Sequence, residues 1–281
     1  MPVTIDDLVA RIRGHRCYSH PIFEHWAEVR PESTVVGALF HQIRNFCDAT
    51  RPGGKFPEAL AEHKLSKESA LLQEIIESEE NHAPELATMA GYIVNRAAGH
   101  TVFSDLYDQE LVEQGLKEFS DKLLENLPGY DPKTGLLAQT RRARAVFDGR
   151  QQVDRESTLR NLGTALALEM ISNRHLIPGE KAALVDAGHY DAALEDAEMH
   201  YLLEHWGEIG AEQQHEKNAV AAVDSVLTAQ NEALVLEGVD LFLDSLVDLW
   251  DVLDAALLAS GRPGVELISA HVAADSRTSC S

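Results

Sequence analysis

The chain has 281 residues, 44% of them hydrophobic and 25% charged, a globular balance that excludes a disordered polymer and is long enough to bury a core. Its 24 Lys and Arg are scattered and stand against 46 Asp and Glu, a formal net charge of −22 that excludes a nucleic-acid binder. Cys17, Cys47 and Cys280 show no zinc-like spacing, the first residues lack the apolar core of a signal peptide, and no run of about twenty apolar residues predicts a membrane span. The expectation is a cytoplasmic enzyme or binding protein.

Helical periodicity is read in chain order. Near the N-terminus His20 and His25 flank PIFEHW and read as packing or solvent-facing residues. Apolar residues recur at three- and four-residue steps from Val35 to Cys47, and again from Ser69 to Ala98. The turn-rich RPGGKFP, Arg51 to Pro57, separates the two. Further helices are predicted over Thr101 to Leu127, Asp154 to Arg174, Tyr190 to Asn231 with a break near Gly207 and Gly210, and Ala233 to Ala259. TRRARAVFDGR, Thr140 to Arg150, reads as a solvated basic connection, with binding of an anionic group as the alternative. Strand-like alternation is nearly absent, so the class is all-α. No composition shift divides the chain. One domain is expected over residues 1–260, followed by a weakly ordered tail over 261–281. The leucine-rich last helix is expected to pack on the bundle or to pair two subunits in a homodimer.

Three places combine residues with metal-binding chemistry. In ESEENH, Glu79 and His82 stand three apart, so both side chains lie on one helical face and reach one ion. The alternative there is a solvated acidic face. In HYLLEHWGEIGAEQQH, residues Glu208, Glu212 and His215 fall at steps of four and three, and His205 extends the stripe. A stripe of Glu and His costs stability inside a bundle unless something compensates the charge. The alternative places Tyr201, Leu202, Trp206, Ile209 and Val220 inward and the acids outward. Glu169, in ALALEMISN, is a lone carboxylate on a helix apolar almost all round, and desolvation would raise its pKa unless a cation met it. Together the three places supply acids and imidazoles from an early, a middle and a late helix, a donor set that suits two metal ions with open positions.

These residues resemble the haem-oxygenase-like di-iron oxidases and oxygenases. The similarity runs from about His20 to Val220. It includes the HP-x-F opening in HPIFEHW, the segment leading into Glu79 and His82, the helix-centred acid Glu169, and the acid and histidine helix around Glu212. The resemblance implies a seven-helix bundle without haem, with an additional C-terminal helix in this chain. It implies Glu79 and His82 as ligands from the first core helix, and Glu169 as a bridging carboxylate from the second. The third core helix of the family reads His-x-x-x-Asp-x-x-His, against Glu208, Glu212 and His215 here. Glu208 therefore stands where a histidine is expected, and either Glu208 or His205 takes that place.

The implied cofactors are two Fe(II) ions per chain, with O₂ as co-substrate. The implied reaction is C–H abstraction from a small amino-acid-like metabolite, giving desaturation, cyclisation or cleavage, with no nucleic-acid or membrane partner. Arg96, Arg160 and Arg174 are the candidates to hold a substrate carboxylate. The competing reading is a metal-free, small-molecule-binding bundle of thiaminase-like or PQQ-synthesis-like type.

Overall fold

The computed structural model describes residues 2–50, 55–78, 82–207 and 211–260. Among them every regular element is helical, and the single extended pairing is a bridge between Asp131 and Leu136. The first half of the chain carries α1 (Ile5–Gly14), α2 (Ile22–Val29), α3 (Ser33–Thr50), α4 (Phe56–Glu62), α5 (Ser66–Ser78) and α6 (His82–Ala98), then α7 (Gln109–Leu124) and α8 (Ala138–Ala145). The second half carries α9 (Arg155–Ile171), α10 (Ile177–Lys181), α11 (His200–His205), α12 (Ala211–Val226) and α13 (Glu232–Ser260). No described helix is long and apolar enough to cross a membrane. The expected tail over 261–281 lies outside the described residues.

Two helix groups form the frame. Helix α3 packs along α7 and α6, and α9 packs along α13 and α12, with α5 behind α12. Helix α9 is buried on every side from Leu162 to Ile171, which is why its sequence shows no polar face. It starts where the Asp154 carboxylate caps the Ser157 amide at 2.9 Å. Two glycines let α9 and α13 touch backbone to backbone. A Cβ at Gly163 would lie 2.0 Å from the Val235 carbonyl oxygen, and one at Gly238 would lie 2.0 Å from that of Arg160.

The long predicted helices are present, with ends that differ for local reasons. The third starts at Gln109 rather than Thr101, because the Asp108 side chain caps Leu111 N at 3.1 Å. Just before it, the Asn95 carboxamide oxygen accepts from the amides of Val102 and Phe103, holding the approach as a turn. The helix predicted from Tyr190 resolves into α11 and α12, with Gly207 at φ +89° between them. Residues 190–196 are instead pinned by polar contacts, Trp26 Nε1 donating to Tyr190 at 2.8 Å and Tyr92 to Asp196 at 2.7 Å. Helix α9 continues through a π-helical turn (Ser172–Leu176), α10 and a second π turn (Ala182–Asp186). The short helices α1, α2, α4 and α8, ten residues or fewer, carried no periodic signal long enough to read.

Helix α13 also fastens the start of the chain. Its aspartates at 240, 244, 251 and 254 pair with Arg11, His15, Arg16, His20 and His25, so His20 and His25 are docking residues. Phe23 packs edge-on to Trp250 in the same seam.

Candidate metal centre

Five of the seven expected ligands lie in the described structure, and the fold gathers them. His82 opens α6, Glu169 sits near the end of α9, His205 closes α11, and Glu212 and His215 occupy the first turns of α12. All five are buried, between 3% and 6% exposed. Glu79 and Glu208 lie outside the described residues.

The donor atoms face one another. Nδ1 of His215 is 3.7 Å from Glu169 Oε2, and the ligand atoms of Glu169, Glu212 and His215 all lie within 4.8 Å of one another. Nε2 of His205 is 3.5 Å from Glu212 Oε1, and the rings of His82 and His205 are 4.2 Å apart. The Tyr201 carbonyl, 2.5 Å from His205 Nδ1, can only accept, so Nδ1 carries a proton and Nε2 is the nitrogen that faces Glu212. His82, Glu169, His205 and Glu212 line a cavity of about 40 Å³ walled by Phe46, Leu86, Leu168 and Leu176.

Three imidazoles and two carboxylates match the nitrogen and oxygen preferences of first-row transition ions, whereas Mg²⁺ and Ca²⁺ favour oxygen alone. Buried carboxylates of this kind need a cation to offset their desolvation, and an ion held here would provide it. Glu212 and His215 on α12 thus turn inward, against the alternative reading; Tyr201 and Leu202 are buried as that reading placed them, and Trp206 is exposed. No family model, curated protein or solved structure matches the chain. The residues themselves therefore carry the assignment.

Several residues at the centre had no place in the sequence reading. Asp48, Cys47 and Thr50, at the end of α3, reach the same cavity. Glu180 on α10 is 2% exposed and both its carboxyl oxygens lack a hydrogen-bond partner. Burial pushes its pKa up to about 8, His205 opposing and Glu212 adding to the shift. Its surroundings are Phe23, Trp26 and Phe40.

Within the basic stretch Arg141 and Arg142 are exposed, as the solvated reading expects, but Arg150 departs from it, being 2% exposed. Its Nη1 donates to the Thr50 carbonyl, while Nε and Nη2 have no partner. The guanidinium lies 4.5 Å over the Phe147 ring. Burial lowers its pKa to about 10, with Glu169 working in the other direction.

The three arginines proposed for a substrate carboxylate are engaged elsewhere. Arg96 bonds Tyr92 at 2.7 Å, Arg160 pairs with Glu237 at 2.8 Å, and Arg174 pairs with Glu216 at 3.3 Å. None of them lines the cavity.

Proposed function

We propose that this protein is a non-haem di-iron, O₂-dependent oxidase or oxygenase of the haem-oxygenase-like architecture, acting on a small amino-acid-like metabolite. The observation that carries the reading is the convergence of five buried chelating side chains from α6, α9, α11 and α12: His82, Glu169, His205 and Glu212 line one small cavity, and His215 faces Glu169 beside it. Glu169, Glu212 and His215 are the set for one ion, and His82 and His205 contribute to the second. Bound there, ferrous ions supply electrons and open coordination positions for O₂, and hence the oxidising power to attack an unactivated C–H bond.

The chain's own contribution is placement. Glu169 is held at the middle of the site because α9 is clamped against α13 by the glycine crossing. The Tyr201 carbonyl fixes the His205 tautomer, so its donor atom needs no reorientation. Phe46, Leu86, Leu168 and Leu176 keep bulk water out and lower the local dielectric. Arg150 does not line the cavity either, but it bonds the carbonyl of Thr50, which does, and its Nε and Nη2 are unused; on that ground it replaces Arg96, Arg160 and Arg174 as the candidate anchor for a substrate carboxylate.

The test is anaerobic loading of the metal-free protein with Fe(II), followed by measurement of bound iron and of O₂ uptake with a panel of amino acids. About two irons per chain are expected in the buried centre, falling to about one or fewer there in Glu169→Ala. No iron above background, or unchanged occupancy in Glu169→Ala, overturns the proposal and favours the metal-free bundle.

A further inference from the structure

A second set of chelating groups meets at the outer end of the centre, where α6 and α11 pack together. His82 and Glu85 stand three apart on α6, and His200 and Glu204 stand four apart on α11. Each spacing puts its pair on one helix face. Nε2 of His200 lies 3.0 Å from Glu204 Oε1 and 3.9 Å from Glu85 Oε1, and Nε2 of His82 lies 3.7 Å from Glu204 Oε2. Donors held about 2.0–2.1 Å from a tetrahedral zinc-sized ion stand roughly 3.3–3.4 Å from one another, within the range of these separations. The donor atoms of His82, Glu85 and Glu204 all fall within 4.8 Å.

Glu85 adds an independent sign. Its second oxygen, Oε2, is shut off from solvent and has no hydrogen-bond partner. A buried acceptor left this way is destabilising unless a donor or cation meets it. Ordinary surface ion pairs among these four residues would contribute little stability and would leave that oxygen unexplained.

We propose that His82, Glu85, His200 and Glu204 form a second, solvent-facing site for a divalent first-row transition ion, and that this site is the port through which the buried centre is loaded. The side chains grade from water to interior: His200 is 50% exposed, Glu204 44%, Glu85 24% and His82 7%. His82 serves one end at a time: its Nε2 faces Glu204, while its ring also lines the inner cavity beside His205, whose Nε2 faces Glu212, so with the inner centre filled the outer ion is held by Glu85, His200 and Glu204. Donor atoms thus run in file from solvent to Glu212. An ion moving along them exchanges ligands one or two at a time and is never stripped bare, which avoids the desolvation cost of a naked ion in the interior. The loading role rests on the metal reading of the buried centre; the existence of the outer site does not.

Titration of the metal-free full-length protein with Co²⁺, followed by its visible absorption and by stopped flow, separates these claims. Three proteins are compared: the wild type, His200→Ala/Glu204→Gln, and Glu169→Ala/His215→Ala. Both outer substitutions are at exposed positions, and circular dichroism checks that each variant keeps its helices. The outer variant is expected to lose one Co²⁺ per chain, or to bind it about a hundredfold more weakly, beyond the loss of a single supporting contact. It is expected to fill the inner centre to the same final level, about tenfold more slowly. The inner variant is expected to retain the outer ion.

Unchanged Co²⁺ stoichiometry and affinity in the outer variant overturns the site. Loss of the outer ion with an unchanged inner loading rate overturns the port. Wild-type Co²⁺ binding by the inner variant removes the buried centre instead, and leaves the outer site standing.

Discussion

Glu169 and Glu180 sit eleven positions apart on one run of helix, and they meet different surroundings. Glu169 faces imidazole at 3.7 Å, whereas Glu180 faces hydrocarbon and aromatic edges. An acid raised from 4.5 to about 8 binds its proton more tightly when folded. Its contribution to stability is therefore complete below the unfolded value and disappears as pH rises toward 8. Glu180→Gln keeps the shape without the ionisation. In metal-free protein it should match the wild type near pH 5 and exceed it at pH 8, by about 2–4 kcal/mol in urea unfolding. Equal stability of the two proteins at pH 8 would show that Glu180 is not held as the neutral acid. Of the two acids only Glu169 was legible in sequence, as a lone charge among apolar neighbours. Glu180 stands in IPGEK, whose proline and glycine read as a connector, and only tertiary packing buries it. Arg150 is hidden for a similar reason: it looks like its basic neighbours, and of the two rings over which it lies Phe147 belongs to its own stretch but Phe56 is brought in from α4 by the fold.

At the level of elements, periodicity reveals which long helices exist but not where caps stop them. Asp108 and Asn95 decide the start of α7 through side-chain bonds to backbone amides, contacts that no hydrophobic pattern encodes. The glycine crossing of α9 and α13 was equally silent, since a glycine within a helical pattern looks like a weak spot rather than a contact. Gly163→Ala would drive a methyl group into the Val235 carbonyl and push the helices apart, costing about 3 kcal/mol in thermal or denaturant unfolding. Because Glu169 rides on the same helix six residues on, iron occupancy at a temperature where the variant is still folded should fall as well. A stable Gly163→Ala protein with full occupancy would refute the clamp. The π turn at Ser172–Leu176 has a related effect, since it carries one residue more per turn than an α-helix. Deleting a residue there would rotate everything beyond it by about 100° and turn Glu180 away from the site.

For the molecule as a whole, part of the −22 charge has a structural use, as a column of aspartates on α13 that receives the basic and histidine side chains of the N-terminal segment. The sequence reading placed the helix on the bundle or in a dimer; the aspartate column explains what it does on the bundle. Burial alone would raise the Asp251 pKa, but the bonds from His20 and Arg16 outweigh it and hold it at about 2. A lowered acid stabilises the fold above its unfolded value near 3.8 and loses that contribution as pH falls toward 2. Asp251→Asn should therefore cost about 1–2 kcal/mol at pH 7, with the gap to wild type narrowing as pH falls below 4. A constant gap across that range would remove the linkage.

The pairs in this seam join residues 229 to 235 positions apart. During synthesis at about 5–20 residues per second, the first twenty-five residues would wait roughly 12–46 s for the helix that receives them. Over that interval Phe23 has no Trp250 to pack against, and the apolar face of α2 is open to the cell's chaperones.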